Sequence, residues 1–105
     1  QQAPVKMILL NNNYLGNVRQ WQDMFFGHRK SFTKMLNPCY ETIAKGYGIN
    51  YDVAVDRSTL REKVEKMIAT DGPYLLECAI KEEDNVLPMT PPGKSVNEML
   101  LELDI

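Results

Sequence analysis

The fold of this chain is decided by one stretch near its start, VKMILLNNNYLG, residues 5–16. Val5–Leu10 is an almost unbroken apolar run, which predicts a β-strand buried on both faces, as in a parallel sheet. The run stops at Asn11–Asn13, at the carboxyl end of the predicted strand, where open α/β sheets bind their ligands. Asparagine also forms turns and tolerates left-handed backbone. From the local sequence alone, a binding site and a plain turn both remain open.

The composition argues against a nucleic-acid-binding or membrane protein. The 105 residues are 44% hydrophobic and 25% charged, with a formal net charge of −2, and no basic run marks a surface for nucleic acid. No apolar run approaches the roughly 20 residues of a membrane span, and no signal-peptide pattern opens the chain. Cys39 and Cys78 lack CxxC spacing. Because Cys78 lies in an apolar run, a buried reduced thiol and a cytoplasmic location are predicted.

Hydrophobic periodicity and capping signals predict three strands and four helices. The predicted strands are Val5–Leu10, Ile49–Val55 and Tyr74–Ile80. The predicted helices run from Leu15 to about Phe26, from Pro38 (with Asn37 as N-cap) to about Tyr47, from a capping box at Thr59 through Ile68, and from a second capping box at Ser95. Strands that alternate with helices imply right-handed crossovers and a parallel α/β sheet.

Each predicted helix carries an apolar stripe, which we expect to be buried in the third helix and to face inward in the last. The stripes are Leu15, Val18, Trp21 and Phe25 in the first helix, Tyr40, Ile43, Ala44 and Tyr47 in the second, Leu60, Val64, Met67 and Ile68 in the third, and Met99, Leu100 and Leu103 in the last. A lone tryptophan on such a stripe is most simply a core residue. His28 has no second histidine or nearby cysteine, so it has little support as a metal ligand or catalytic residue.

The first strand is too apolar for the edge of a sheet. Val5–Leu10 should therefore have a further neighbour, and the chain enters this strand at once, without an initiating Met. We expect the sequence to be a piece of a larger protein. We also expect the exposed flank of the strand to drive self-association of the isolated chain.

The longer sequence context resembles one enzyme family. Residues 10–22, LNNNYLGNVRQWQ, closely resemble the large catalytic subunit of acetolactate synthase (acetohydroxyacid synthase). That family carries Leu-Asn-Asn, two variable residues, Leu-Gly-Met-Val, one variable residue and then Gln-Trp. The resemblance continues in order through FFGHR (residues 25–29), AKGYG (44–48), GPYLLE (72–77) and NVLPMTPPG (85–93). It therefore spans essentially the whole chain.

The resemblance implies the C-terminal part of a domain that binds thiamin diphosphate (thiamine pyrophosphate). Its fold would be α/β, a three-layer, partial doubly wound parallel sheet of about three strands flanked by helices. Residues 1–80 would form the α/β core, and residues 81–105 a C-terminal loop and helix. The family condenses two pyruvates, or pyruvate and 2-ketobutyrate, to acetolactate or acetohydroxybutyrate in branched-chain amino-acid biosynthesis.

The family's cofactors are thiamin diphosphate, Mg²⁺ and FAD, the last bound mainly outside this segment. The implied partners are the 2-keto acid substrates, further copies in a homo-oligomer whose active site lies at the dimer interface, and a regulatory small subunit. The activating glutamate would come from another domain, so no catalytic residue is assigned in this chain. We expect the isolated chain to be inactive.

The resemblance also fixes the register of the three asparagines. Because two residues separate Asn-Asn from Leu-Gly in the family, Asn11 and Asn12 are the motif pair, with Asn13 and Tyr14 as the variable residues. Asn12 would then supply a side-chain oxygen to Mg²⁺, and Tyr14 a backbone carbonyl oxygen. These are hard oxygen ligands, as Mg²⁺ prefers. The family's carboxylate ligand belongs to a Gly-Asp-Gly motif upstream, and none of the eleven residues before Asn12 is Gly or Asp.

Residues just after the motif would lie beside the cofactor. Leu15, Gly16 and Asn17 match backbone that passes the thiamin, where Gly16 permits a close approach. Asn17 departs from the family's usual Met or Leu, which puts the local packing there in doubt. Trp21 matches a tryptophan of the substrate channel. The apolar loop Val86–Met89 would pack over that channel when the site closes.

Three alternative functions remain open at this point. Another thiamin-diphosphate enzyme, such as a pyruvate oxidase or glyoxylate carboligase, would keep Asn12 but should differ around Trp21. A small flavodoxin-like binding module should carry acidic or Gly-rich loops at the strand ends, which the sequence lacks. A non-catalytic interaction domain would be distinguished by failure of the parent chain to bind thiamin diphosphate and Mg²⁺.

Overall fold

The structure is a computed structural model that describes residues 3–102. Its strands are β1 (Lys6–Asn11), β2 (Asn50–Ala54) and β3 (Tyr74–Ala79), and its helices are α1 (Gly16–Phe25), α2 (Tyr40–Gly46) and α3 (Arg57–Ala69), followed by a 3₁₀ turn at Val96–Glu98. The strands form one parallel sheet in the order β1-β3-β2. The predicted α/β class and parallel sheet are confirmed. None of the helices in the described part is long and apolar enough to cross a membrane.

The chain divides into two compact units. The first contains the residues up to Asn13 together with Leu36–Lys81, and it holds the whole sheet with α2 and α3. The second contains Tyr14–Met35 and the segment from Glu82 onward. The break at residue 81 lies next to the predicted limit of the α/β core. The segment 14–35, by contrast, groups with the C-terminal segment, a pairing the sequence did not indicate.

The core of the first unit lies between the sheet and α3. It consists of Ala54, Met67, Tyr74, Leu76 and Cys78, with Val64 packed against them. The central strand β3 contributes three of these side chains, all on one face, since alternate residues of a strand share a face. The predicted burial of Cys78 and of Met67 is confirmed.

The other face of the sheet carries polar groups at its carboxyl end. Leu9 pairs with Glu77 in register, and Val53 pairs with Glu77 from the opposite side. The side chains of Asn11, Glu77 and Tyr51 therefore share one face, away from the α3 core. Their contacts decide the geometry of the turn that follows β1.

Within residues 3–102, strand β1 is an edge of the sheet, because it pairs there only with β3. Ile8 is 53% exposed and Leu10 is 64% exposed, so the prediction that this strand is buried on both faces is wrong for the described chain. Their face of β1 lies beyond the reach of α3, which packs on β2 and β3. A further strand beside β1, and self-association through its edge, stay predictions.

Several helix ends differ from the prediction. Helix α3 begins after Asp56, whose side chain accepts a hydrogen bond from the Ser58 amide at 2.7 Å, rather than at Thr59. Helix α2 begins after Cys39, two residues beyond the predicted start. The predicted last helix is only a 3₁₀ turn, since Leu100 exchanges backbone hydrogen bonds with Met89 instead. Leu103 lies outside the described residues.

The apolar stripes of α2 and α3 are only partly buried. Ala44 and Met67 are buried, whereas Ile43 is 42% and Ile68 is 68% exposed. A helix on a three-stranded sheet covers a narrow area, so the margins of each stripe stay in solvent.

A partly buried ion pair joins α3 to β2. Lys63 Nζ lies 2.9 Å from Asp52 Oδ1 and donates a second hydrogen bond to the Val53 carbonyl at 2.7 Å. Partial burial of Asp52 opposes its ionisation, but the hydrogen bonds from Lys63 and the Val53 amide outweigh it and hold the pKa of this carboxyl below its usual range. The pair therefore stabilises the fold while Asp52 is ionised.

This pair makes the stability pH-dependent. Because the folded pKa of Asp52 is depressed, its contribution is present above the ordinary aspartate pKa of about 4 and is lost as pH falls through the folded value. We expect Lys63→Met to lower the free energy of unfolding by about 1 kcal/mol at pH 7 and by clearly less at pH 3. Urea denaturation at both pH values measures this.

The matched control for that experiment is Arg61→Met on the same helix. Arg61 pairs with Glu65 at 3.6 Å, with both side chains largely exposed, so its loss should change stability by under about 0.5 kcal/mol. An equal cost of Lys63→Met at both pH values would show that the ion pair does not produce the pH dependence.

Candidate functional site

The turn after β1 is held by the side chain of Asn11. Its Oδ1 accepts a hydrogen bond from the Asn13 backbone amide at 3.0 Å, and the backbone of Asn13 is left-handed with φ of 59°. Asparagine tolerates this conformation better than most residues because its short polar side chain can hydrogen-bond locally. The local prediction of a turn is therefore confirmed, and it does not compete with a site at the same place.

Two further side chains of the first unit, those of Asn37 and Glu77, form hydrogen bonds with this turn. Asn37 Nδ2 donates to Asn11 Oδ1 at 3.0 Å and to Asn13 Oδ1 at 3.1 Å. Asn11 Nδ2 donates to Glu77 Oε1 at 3.1 Å. The carboxamide oxygens of Asn11 and Asn13 thus both accept hydrogen bonds from within the unit. The assignment of Asn12 as the metal ligand comes from the family spacing and stays a prediction.

The structure places the two predicted metal ligands on either side of the unit boundary. Asn12 is half-buried at the end of β1, in the first unit, and Tyr14, also half-buried, opens the second. Among residues 3–102, no group of three or more His, Cys, Asp or Glu could hold a metal ion.

The start of α1 is fixed by backbone pairing within the second unit. Tyr14 forms an isolated antiparallel bridge with Lys34, in which the Leu15 amide donates to the Thr33 carbonyl at 2.8 Å. Helix α1 then begins at Gly16, with Asn17 exposed in its first turn. The Tyr14 ring has the Arg19 guanidinium 4.3 Å from its centroid. Leu15 thus precedes α1 as its N-cap, and Gly16 and Asn17 form the first residues of the helix.

The apolar stripe of α1 is exposed in the second unit. Leu15, Val18 and Phe25 are 46%, 49% and 43% exposed, and Trp21 is 37% exposed. The simplest interpretation of Trp21, as a core residue, therefore does not hold for the described residues. The buried residue of the helix is Gln20.

The exposed stripe borders a groove of about 660 Å³. Its lining residues are Asn17, Val18, Trp21, Gln22, Phe26 and Arg29. A second groove beside it is lined by Trp21, Phe25, Phe26, Pro91, Pro92 and Lys94. Trp21 belongs to both and packs edge-on against Phe25, with ring centroids 5.7 Å apart. A largely apolar groove whose lining includes an arginine can hold a small organic anion.

Gln20 holds the C-terminal segment against α1. Its Nε2 donates to the Val86 carbonyl at 2.9 Å and its Oε1 accepts from the Val86 amide at 2.8 Å. Arg19 adds a hydrogen bond to the Glu82 carbonyl. The carboxamide of Gln20 therefore pairs with both the backbone amide and the backbone carbonyl of Val86, as a backbone peptide group of a neighbouring strand would.

Sequence reasoning missed three residues that organise these units. The sequence predicts Asn37 only as a helix cap, Glu77 only as part of a strand, and Gln20 only as part of the Gln-Trp motif of the family. Glu77 did carry a signal, since a carboxylate inside an otherwise apolar central strand needs partners. Gln20 and Asn37 carried none, because their partners are distant in sequence.

Comparison with known proteins shows what this chain is similar to. Residues 1–78 match the family described as "Thiamine pyrophosphate enzyme, C-terminal TPP binding domain". The chain is 41% identical over 104 residues to the acetolactate synthase isozyme 2 large subunit of Escherichia coli (strain K12), a match that covers 98% of this chain and 19% of that protein.

Plant and algal relatives match in the same way. Identity is 38% over 112 residues to acetolactate synthase 1, chloroplastic, of Oryza sativa subsp. japonica, covering 99% of this chain and 17% of that protein. Identity is 38% over 101 residues to the acetolactate synthase large subunit of Pyropia yezoensis, covering 94% of this chain and 17% of that protein. The chain spans about a fifth of the length of the curated relatives it matches.

The Gln20 contact gives a local prediction. We expect Gln20→Ala to speed hydrogen exchange of the Val86 amide at least about tenfold, because a hydrogen bond worth about 1.4 kcal/mol changes an opening equilibrium by that factor. The matched control is Gln22→Ala, which removes the acceptor of the Ser31 amide and should affect residue 31 but not residue 86. Unchanged exchange at Val86 in the Gln20 variant would contradict the role given to Gln20.

Proposed function

Because this chain belongs to the thiamine pyrophosphate enzyme family, as part of the C-terminal domain that binds this cofactor, we propose that it is a segment of an acetolactate synthase large subunit. The observation that carries the proposal is the asparagine turn at the carboxyl end of β1, in a chain that acetolactate synthases match over 94–99% of its length. The parent protein would join two 2-keto acids and release carbon dioxide.

The turn is suited in type to a magnesium ion. We assign the metal-ligand roles to the side-chain oxygen of Asn12 and the backbone carbonyl of Tyr14, since Mg²⁺ prefers hard oxygen ligands. The family spacing, with two residues between the Asn-Asn pair and Leu-Gly, supports Asn12 as the ligand among the three asparagines. The carboxylate that completes the metal site would come from another part of the parent protein.

Residues at the start of α1 would bind the cofactor itself. Gly16 has no side chain, so the backbone of Leu15 and Gly16 can approach a bound ring closely. Asn17, exposed in the first helical turn, would lie beside the thiamin with a polar side chain. When bound, thiamin diphosphate supplies the electron sink for decarboxylation of a 2-keto acid and for formation of the new carbon–carbon bond.

We assign Trp21 to the substrate channel. Its position in both apolar grooves of the second unit supports this role, because a wide aromatic ring can pack on the aliphatic part of a 2-keto acid and exclude water. The side chain of Arg29, one of the residues that line the larger groove, is suited to the substrate carboxylate. Pyruvate and 2-ketobutyrate are the proposed substrates.

The wider setting of the parent protein is also proposed. It would bind FAD mainly outside this chain, form a homo-oligomer with the active site at the dimer interface, and have a regulatory small subunit as a candidate partner. A cytoplasmic location is proposed, although plant relatives carry the word chloroplastic in their names. Membrane and nucleic-acid partners are not proposed.

A different thiamin-diphosphate enzyme is the second candidate. A pyruvate oxidase or a glyoxylate carboligase would use the same Asn12 and Tyr14 oxygens. The relatives described above are all named acetolactate synthase, which favours the first proposal. Product analysis with pyruvate and with glyoxylate distinguishes the candidates.

The function is tested on the full-length polypeptide that carries these residues. With thiamin diphosphate, Mg²⁺ and FAD it should form acetolactate from pyruvate, whereas the 105-residue chain alone should form none, because most of the site lies outside it. A colorimetric acetolactate assay measures both. Acetolactate production by the short chain would contradict the split site, and acetate or tartronate semialdehyde as the main product would favour the second candidate.

A further inference from the structure

A chain of side-chain hydrogen bonds runs from the sheet to the asparagine turn. It starts at Glu77 in β3, which is half-buried between the two other strands. Tyr51 of β2 donates its hydroxyl to Glu77 Oε2 at 2.8 Å, and Asn11 of β1 donates to Glu77 Oε1 at 3.1 Å. Burial and the Glu77 carboxylate together raise the pKa of Tyr51, so this hydroxyl keeps its proton and stays a donor.

The carboxylate fixes the orientation of the Asn11 side chain. Both oxygens of Glu77 only accept hydrogen bonds, so Asn11 must direct its NH₂ group toward Glu77 and its Oδ1 away from it. The Asn13 backbone amide donates to that Oδ1 at 3.0 Å, as this orientation requires. The Asn11 side chain therefore has only one orientation that satisfies its partners.

Asn37 completes the chain of donors and acceptors. Its Nδ2 lies 3.0 Å from Asn11 Oδ1 and 3.1 Å from Asn13 Oδ1, so each of its two N–H bonds has one acceptor. The two acceptors flank Asn12 in the sequence. Asn37 therefore joins the two ends of the turn on either side of the residue between them.

We propose that Asn37 is a positioning residue for the metal site, and that Glu77 anchors it through Asn11. By joining Asn11 to Asn13, Asn37 fixes the backbone that presents Asn12 and the following Tyr14 carbonyl to Mg²⁺. The inference rests on the proposed function, because it concerns the same ion. It goes further by assigning metal affinity to two residues that would touch neither the ion nor the cofactor.

This hydrogen-bond network lies apart from the hydrophobic core, so its loss should have little effect on the stability of the core. The buried cluster lies on the opposite face of the sheet, around Leu76 and Met67, whereas Asn11, Glu77 and Asn37 are only partly buried. Loss of the Asn37 amide should thus loosen one turn without opening the core. A turn free to sample other conformations spends less time in the binding geometry, so its apparent metal affinity falls by that fraction.

The experiment measures thiamin diphosphate binding by the full-length protein as a function of Mg²⁺ concentration, by isothermal titration calorimetry. We expect Asn37→Ala to raise the Mg²⁺ concentration for half-maximal binding at least about tenfold, with binding restored at high Mg²⁺. Glu77→Gln keeps the size of the side chain but can donate as well as accept, so it should raise that concentration by a smaller factor, about two- to fivefold.

The matched control is Asn50→Ala. Asn50 is exposed at the opposite end of β2, where its amide donates to the Pro73 carbonyl at 3.1 Å. This variant should leave the Mg²⁺ requirement within twofold of the wild type, and its thermal unfolding midpoint should resemble that of Asn37→Ala. Activity at saturating Mg²⁺ should be nearly retained in all three variants.

Two results would overturn the inference while the proposed function stands. One is a wild type that binds thiamin diphosphate with Mg²⁺ and an Asn37→Ala variant whose Mg²⁺ requirement is within twofold of it. The other is a binding loss that high Mg²⁺ does not restore and that accompanies a lower unfolding midpoint than that of the control. A wild type that shows no Mg²⁺-dependent binding would overturn the proposed function, and this inference with it.

Discussion

The parallel pairing of β1 with β3 determines the geometry of the candidate site. Its register sets Leu9 opposite Glu77 and Asn11 opposite Ala79, so the Asn11 amide reaches a carboxylate of the neighbouring strand. A shift of one residue would move Asn11 to the other face of the sheet, because side chains alternate along a strand. The asparagine turn would then lose its anchor. The apolar residues of both strands therefore support the site indirectly, since they fix this register.

Much of the fold could be predicted from the sequence. The three strands lie within one residue of their predicted limits at every end, because short β-branched and apolar runs between turn residues are strong local signals. The exposed stripe of α1 could not be predicted from periodicity, which shows that a helix has an apolar face but not what covers it. Gln20 is buried in its place, through two hydrogen bonds to a residue 66 positions away, and no local pattern indicates such a partner.

The candidate site was predictable only in part, for a related reason. The family resemblance identifies Asn12, Tyr14 and Trp21, because those residues would act on a cofactor or substrate common to many proteins. Asn37 and Glu77 act on other residues of the same chain, so only the structure brings them to the turn. The chain would contribute the neutral oxygen ligands and their support, and the rest of the parent protein the charged ligand.

The central claim is that the asparagine turn forms the neutral part of a magnesium site. The most direct measurement is a crystal structure of the full-length protein with thiamin diphosphate and Mg²⁺. We predict that Asn12 Oδ1 and the Tyr14 carbonyl oxygen lie about 2.0–2.1 Å from the ion, with the Asn37 amide still bonded to Asn11 and Asn13. A magnesium ion bound through Asn11 or Asn13, or one that touches no residue of this turn, would contradict the account.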